Sequence, residues 1–241
     1  DANNLEKLAL DKAKKIIVTS TWSKKETIKN YKINKNKIEV LPFGSNLLEK
    51  KFDIHSLLTT VNSKYDRISM HGVRKELLHA QGEAIGLPVK EILVPEMPTM
   101  AEYDALMKKE LSALKDEGIT HSIFGDIFLE DLRDYRIQKL SEVGLKGHFP
   151  LWRRDTTELI HEFIDLGFKT ILVCTKAELL GEEFAGRVID HDFLKDLPKN
   201  VDPCGENGEF HTFVYDGPIF KKPIEFALGE KVFREYEAPK N

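Results

Sequence analysis

Cysteine is scarce in this sequence: Cys174 and Cys204 are the only two in 241 residues. Two thiols can build neither a disulfide framework nor a four-ligand zinc ribbon. Also missing is any apolar run near the roughly 18 residues that a membrane-spanning helix requires. The opening DANNLEKLALDKAKK lacks the apolar core of a secretion signal. Nor is there a surplus of basic charge. Lys and Arg number 36 against 40 Asp and Glu, a formal net charge of −4, which argues against a nucleic-acid binder. These absences predict a cytoplasmic protein with neither a membrane nor a nucleic acid as partner. The chain opens on Asp1 and not on Met, which points to a fragment or a processed chain.

What is present is a globular composition, with 41% hydrophobic and 32% charged residues over a length that suits one large domain or two small ones. Hydrophobic periodicity orders it into alternating strands and helices. Residues 5–15 read as a helix, KKIIVTS as a strand, 22–31 as a helix and KIEVLPFG as a strand. FDIHSLLTTV, VKEILVP and THSIFGDI follow as strands. Between them lie helices over 74–85, closed by Gly86, and over 101–117, closed by Gly118. This alternation predicts an α/β fold, a Rossmann-like parallel sheet flanked by helices, with its ligand beyond the carboxyl ends of the strands. That rule puts residues 59–61, 94–96 and 125–127 on one rim. Near residues 130–145 the pattern changes. A helix over 129–143, an irregular GLKGHFPLW, a helix over 155–166 capped by Asp155 or Thr156, and the strand KTILVCT with Cys174 in the core come next. A glycine turn then leads into an alternating strand, and IEFALGEKVFREYE reads as a hairpin.

Chemistry concentrates in residues 202–212, DPCGENGEFHT. Gly205 and Gly208 permit positive φ angles and close approach of a ligand, with Cys204 and Asn207 beside them as candidate substrate contacts. Glu206 and Glu209, three residues apart, can hold Mg²⁺, receive an ammonium group or act as general base, and His211 adds an imidazole. The plainer reading is a hairpin turn with solvated glutamates. Cys204 has no base at a defined spacing, which argues against a thiol enzyme. Gly125 and Asp126 end a strand on the rim. Arg133 and Arg136, one helical turn apart, can clamp a phosphate, or equally pair with Glu130 and Asp134. Ser69, His71 and Gly72 precede a helix and suit an anion or a nucleotide edge; a simple cap by Ser69 is the alternative. No second histidine has the spacing to make His71 a metal ligand, and no residue set is assigned to a resident metal. Trp152 is expected to fill a core gap or line a pocket wall, with stacking on adenine as the alternative.

The motifs DPCGENGEFHT, RISMHGVRKELL, HSIFGDIFLEDLRDYR, GLKGHFPLWRRDTTEL, EEFAGRVID and VYDGPIFKKPIEF together resemble the diphthine–ammonia ligase family, in the family's order, over about residues 52–238. The resemblance implies an adenine nucleotide alpha hydrolase-like fold, the ATP-binding branch of the PP-loop pyrophosphatases. It implies a nucleotide-binding domain over 51–140 and a smaller α+β substrate domain over 141–241. It also implies ATP with Mg²⁺, a carboxylate-bearing substrate activated as an acyl-adenylate, and ammonia as the attacking group; a homodimer is compatible with it. By the same resemblance Glu206, Glu209 and His211 are catalytic. Ser69, His71, Gly72, Gly125, Asp126, Arg133 and Arg136 then bind the nucleotide, and Cys204, Gly205, Asn207 and Gly208 bind substrate.

One departure stands out. The family's Ser-Gly-Gly-x-Asp-Ser phosphate loop is missing, and Phe43-Gly44-Ser45-Asn46 is the nearest stretch. Residues 12–48 instead resemble a piece of a GT-B type glycosyltransferase, so segment 1–50 is atypical. The expectations are therefore a ligase of impaired turnover or a non-catalytic nucleotide- or partner-binding module, with a glycosyltransferase fragment as the remotest. Residues 16–50 are expected to supply an imperfect substitute for the first strand of the sheet.

Overall fold

The computed structural model describes residues 16–18, 29–30, 32, 38–40, 52–69 and 71–233. Strands β1 (Ile16–Val18) and β2 (Ile38–Val40) pair in parallel, as a β-α-β reading requires. The helices expected over 5–15 and 22–31 lie outside the described residues apart from a helical 29–30, and so does the 43–46 stretch. Within the described residues β1 bonds to β2 and not to the sheet that follows, so the expected substitute strand is not formed there.

The main body begins with β3 (Leu57–Asn62), which pairs in parallel with β5 (Val89–Val94) along its whole length and antiparallel with the short β4 (Arg67–Ile68) at its end. Between β4 and β5 runs α1 (Lys75–Ile85), stopped by Gly86 in the left-handed region at φ 85°. Helix α2 (Met100–Asp116) opens with a reciprocal capping box between Thr99 and Glu102. It leads to β6 (His121–Ile123), α3 (Glu130–Glu142) and β7 (Lys146–His148), with β6 and β7 parallel. The α/β class expected from the sequence holds. Hydrogen bonding nevertheless divides the parallel strands into separate pairs, β3–β5 and β6–β7. The expected strand through Asp126 ends at Ile123, and the stretch read as irregular contains β7, too short to show a period.

The C-terminal part consists of α4 (Thr156–Asp165), β8 (Lys169–Thr175), α5 (His191–Asp196) and β9 (Phe210–Asp216). Asp155 caps α4 by accepting from the Glu158 N–H at 2.9 Å. β8 and β9 form an antiparallel ribbon with a register shift between Leu172 and Cys174. One face of this ribbon packs against Ile160, Leu180 and Phe193. The other packs against Val73 and Ala84, on and just before α1. Cys174 is only half-buried, not a full core residue. The hairpin expected in IEFALGEKVFREYE is not found in its described part. Residues 223–233 hold no strand. Ile224 alone is anchored, its N–H donating to the Tyr215 carbonyl at 2.8 Å and its side chain buried, while Leu228, Val232 and Phe233 stay exposed. Alternation without a partner surface cannot make a stable hairpin.

Candidate active site

The 202–209 turn is built around one carboxylate. Glu209, 4% exposed, accepts from the Asp202 N–H, the Asn207 N–H and the Asn207 side-chain amide, each at 3.0 Å. Burial works against its charge, but these donors outweigh it and hold the carboxyl below its ordinary value. Asp202 in turn accepts from the Glu206 N–H at 2.9 Å. Gly205 lies at φ 71°, where a Cβ would sit 2.9 Å from the Phe210 carbonyl oxygen, so the turn tolerates no side chain there. Gly208 also has a positive φ. Glu209, grouped with the catalytic residues from sequence, is therefore directed inward and occupied by its own turn.

Glu206 points elsewhere. Its Oε1 accepts from the Ile127 N–H at 2.6 Å and the Phe128 N–H at 3.4 Å, across a sequence separation of 79 residues for the closer bond. The turn is thereby fastened to the loop that leaves β6, at the carboxyl end of that strand. The Ile127 carbonyl accepts from the Arg153 N–H at 2.7 Å, so the loop after β7 joins at the same residue. Because β6 and β7 run parallel, both loops emerge at one edge, where ligands of α/β sheets bind.

Asp126, next to this junction, is paired with Arg136, Nε to Oδ2 at 2.8 Å. Arg136 also lies over the Phe124 ring, and Arg133 over Trp152 at 4.7 Å to the ring centroid. The two arginines thus face different partners and do not form one fork. Trp152, half-buried, is a platform for a guanidinium here. Gly125 has open space around it.

On the other side, His211 at the start of β9 meets His71, ring centroids 4.5 Å apart and tilted by 42°. Burial lowers the pKa of both imidazoles, and the nearness of His71 lowers that of His211 further, which favours the uncharged form of each. Sequence spacing gave no partner for His71; folding supplies one from 140 residues away. Ser69 does not cap a helix, because α1 begins at Lys75 with Arg74 at its cap position. The Ser69 N–H donates instead to the Thr60 carbonyl at 3.0 Å, holding Ser69 beside β3, and Gly72 takes φ 70°.

Cys204 donates its S–H to the Thr156 carbonyl at 3.3 Å. Burial first, then the charges of Asp202, Glu206 and Asp155, push this thiol up to about 12. We expect iodoacetamide at neutral pH to leave Cys204 essentially unmodified in the folded protein, as read by mass spectrometry. Rapid alkylation there would contradict this environment. No group of three or more His, Cys, Asp or Glu side chains is placed to hold a metal among the described residues. Within them, no helix is long and apolar enough to cross a membrane.

The arrangement joins residues 69 and 71–72 with the segments 125–128, 149–154 and 202–211 around a pair of imidazoles, a carboxylate–guanidinium pair and an anchored glycine turn. Its C-terminal members fall in a region, residues 155–238, that matches the diphthamide synthase C-terminal domain. The diphthine–ammonia ligase of Danio rerio is 30% identical over 174 residues, covering 65% of this chain and 67% of the relative. The chain belongs to the diphthine–ammonia ligase family. The Bos taurus and Homo sapiens diphthine–ammonia ligases are 29% and 28% identical over 173 and 189 residues, and the chain spans 64% and 69% of their lengths. It thus covers about two thirds of these ligases. Membership of the diphthine–ammonia ligase family carries the adenine nucleotide alpha hydrolase-like fold expected from sequence.

Two features of this candidate site were not visible in the sequence. Ile127 contributes through its backbone alone, which no side-chain pattern announces. Arg153 adopts φ 60°, a conformation that its residue type rarely takes and therefore does not signal.

Proposed function

We propose that this chain carries out, or retains the binding half of, an ATP-dependent amide-forming ligation. The observation that carries the reading is the bond from Glu206 to the Ile127 N–H, which fastens the glycine turn to the strand-end loop holding Asp126. In the proposed reaction a substrate carboxylate oxygen attacks the α-phosphorus of Mg·ATP and pyrophosphate leaves. Ammonia nitrogen then attacks the acyl carbon, AMP leaves, and the nitrogen gives up a proton. His211, beside His71 and with burial favouring its uncharged form, is suited to take that proton. Ser69, His71, Gly72, Gly125 and Asp126 line the nucleotide side, with Arg133 and Arg136 behind them. Cys204, Gly205, Asn207 and Gly208 shape the substrate side. Glu206 and Glu209 act by holding the turn in register, a positioning role.

Phosphate binding in such a step rests on preorganised backbone donors, each worth about 3 kcal/mol at a developing charge. With no Ser-Gly-Gly-x-Asp-Ser loop in its sequence, this chain is expected to bind Mg·ATP measurably but more weakly than micromolar. Isothermal titration tests this. Micromolar binding would refute the impairment, and no binding at any concentration would refute the nucleotide reading. The missing loop also favours a second reading, a nucleotide- or partner-binding module without turnover. Pyrophosphate release on adding ammonia and a carboxylate substrate separates the two: the module gives none.

A further inference from the structure

The arginines around Trp152 are not equivalent. Arg136 is paired with Asp126, and Arg154 with the buried Glu162, both at 2.8 Å. Arg133 and Arg153 have no such buried partner among the described residues. The guanidinium of Arg133 lies over the rings of Trp152 and Phe149, at 4.7 and 5.4 Å from their centroids. Its contact with Asp134 is long, 3.7 Å, to a largely exposed carboxylate. Its Nε is shielded from solvent and makes no hydrogen bond among the described residues; the Arg136 Nε, likewise without one, at least faces the Asp126 carboxylate at 2.8 Å. Buried donors are nearly always satisfied, so one left over marks a place where a further acceptor fits.

Arg153 is the second element. It is held in the left-handed region at φ 60°, and its N–H donates to the Ile127 carbonyl. Non-glycine residues kept in that region by their surroundings cluster at functional sites. Its guanidinium, 72% exposed, pairs with Glu130 at 3.2 Å, itself 64% exposed. Glu130 and Arg133 stand three residues apart on α3, on the same face of the helix. The Arg153 guanidinium therefore meets the helical turn that carries Arg133, and Trp152, its neighbour in sequence, lies under the Arg133 guanidinium.

We propose that Arg133 and Arg153 clasp a pyrophosphoryl group beside Trp152, with Glu130 holding Arg153 in place until the anion arrives. This rests on the nucleotide reading above and revises its cation pair: Arg153 takes the place expected of Arg136, which Asp126 neutralises. A phosphoryl group suits the pair better than a carboxylate. One fork saturates the two oxygens of a carboxylate, whereas two guanidinium groups match an anion with more oxygens. Exposed pairs such as Arg153–Glu130 are weak and easily exchanged for a more highly charged partner.

The test uses the full chain and inorganic pyrophosphate as probe, followed by isothermal titration or amide chemical shifts, with Mg·ATP as a second arm. Arg153→Gly removes the cation yet suits the backbone at φ 60°, so the melting temperature should stay or rise. Its affinity for pyrophosphate should fall at least about tenfold. Glu130→Gln, which removes the competing carboxylate, should bind pyrophosphate more tightly than wild type. Equal affinity in wild type and Arg153→Gly, or no pyrophosphate binding by wild type, overturns the clasp. Arg153-dependent pyrophosphate binding without any Mg·ATP binding would retain the clasp and remove the nucleotide reading. Mg·ATP binding undiminished in Arg153→Gly would do the reverse.

Discussion

Glu209→Ala is expected to lose about 3 kcal/mol of folding stability, because two part-buried backbone N–H groups would lose their charged acceptor. For a chain of this size that corresponds to a fall in Tm of roughly 6–12 °C. The donors at stake are the N–H groups of Asp202 and Asn207; the Asn207 side chain, being exposed, can turn to water. Glu209→Gln should fall between wild type and alanine, since it keeps one acceptor oxygen but sets an NH₂ group against a donor. The effect has a pH signature. The folded-state carboxyl titrates below its ordinary value of 4.5, so its contribution is fully present above that pH and disappears as pH falls through the folded value. Thermal melts of wild type and Glu209→Ala should therefore differ most at neutral pH and converge in acid. A difference that stays constant down to pH 3 would contradict the charge-based account, and a neutral-pH difference under 1 °C would contradict the turn-centred one.

The second large effect concerns Glu206. Its carboxylate accepts from the Ile127 N–H at 2.6 Å, a charge-assisted bond and the tie between the glycine turn and the loop after β6. Hydrogen bonds to charged groups contribute about 1.5–3 kcal/mol. Glu206→Ala should speed amide exchange at Ile127 on the order of 10- to 100-fold, at 1.4 kcal/mol per decade. Phe128, whose N–H is 3.4 Å from the same oxygen, should respond more weakly. Glu206→Gln retains an acceptor oxygen and should restore most of the protection. Hydrogen exchange followed by NMR reads each amide separately. Unchanged exchange at Ile127 in the alanine variant would show that the turn and the loop are held together by something else, and the site assembled here would lose its central tie.

The regular elements of this protein were legible wherever periodicity had length to act. The 11 residues of α1 and 17 of α2 emerged with their closing glycines, since an apolar stripe and a left-handed stop are local properties. β7, with three residues, offered no period. IEFALGEKVFREYE offered a good period and no surface to bury it against, and only Ile224 found cover. The site was legible as a roster of residues and not as a set of partnerships. Asp126 and Arg136 were both candidates, but that they neutralise each other depends on how α3 meets the loop after β6. His71 and His211 were both singled out, yet their contact follows from β9 packing against the segment before α1. Glu206 and Glu209 look alike in sequence and do opposite things. One faces out to a neighbouring loop and the other in to its own, a distinction set by the two positive-φ glycines between Cys204 and Glu209.

The β8–β9 ribbon is two strands wide and covered on both faces. Leu172 and Phe210 turn toward α4 and α5, while Ile171 and Phe213 turn toward α1. Neither cover can depart without wetting side chains of the same two strands. The amino-terminal and carboxyl-terminal parts of the main body are therefore expected to unfold in a single cooperative transition, with damage on either side felt as loss of the whole.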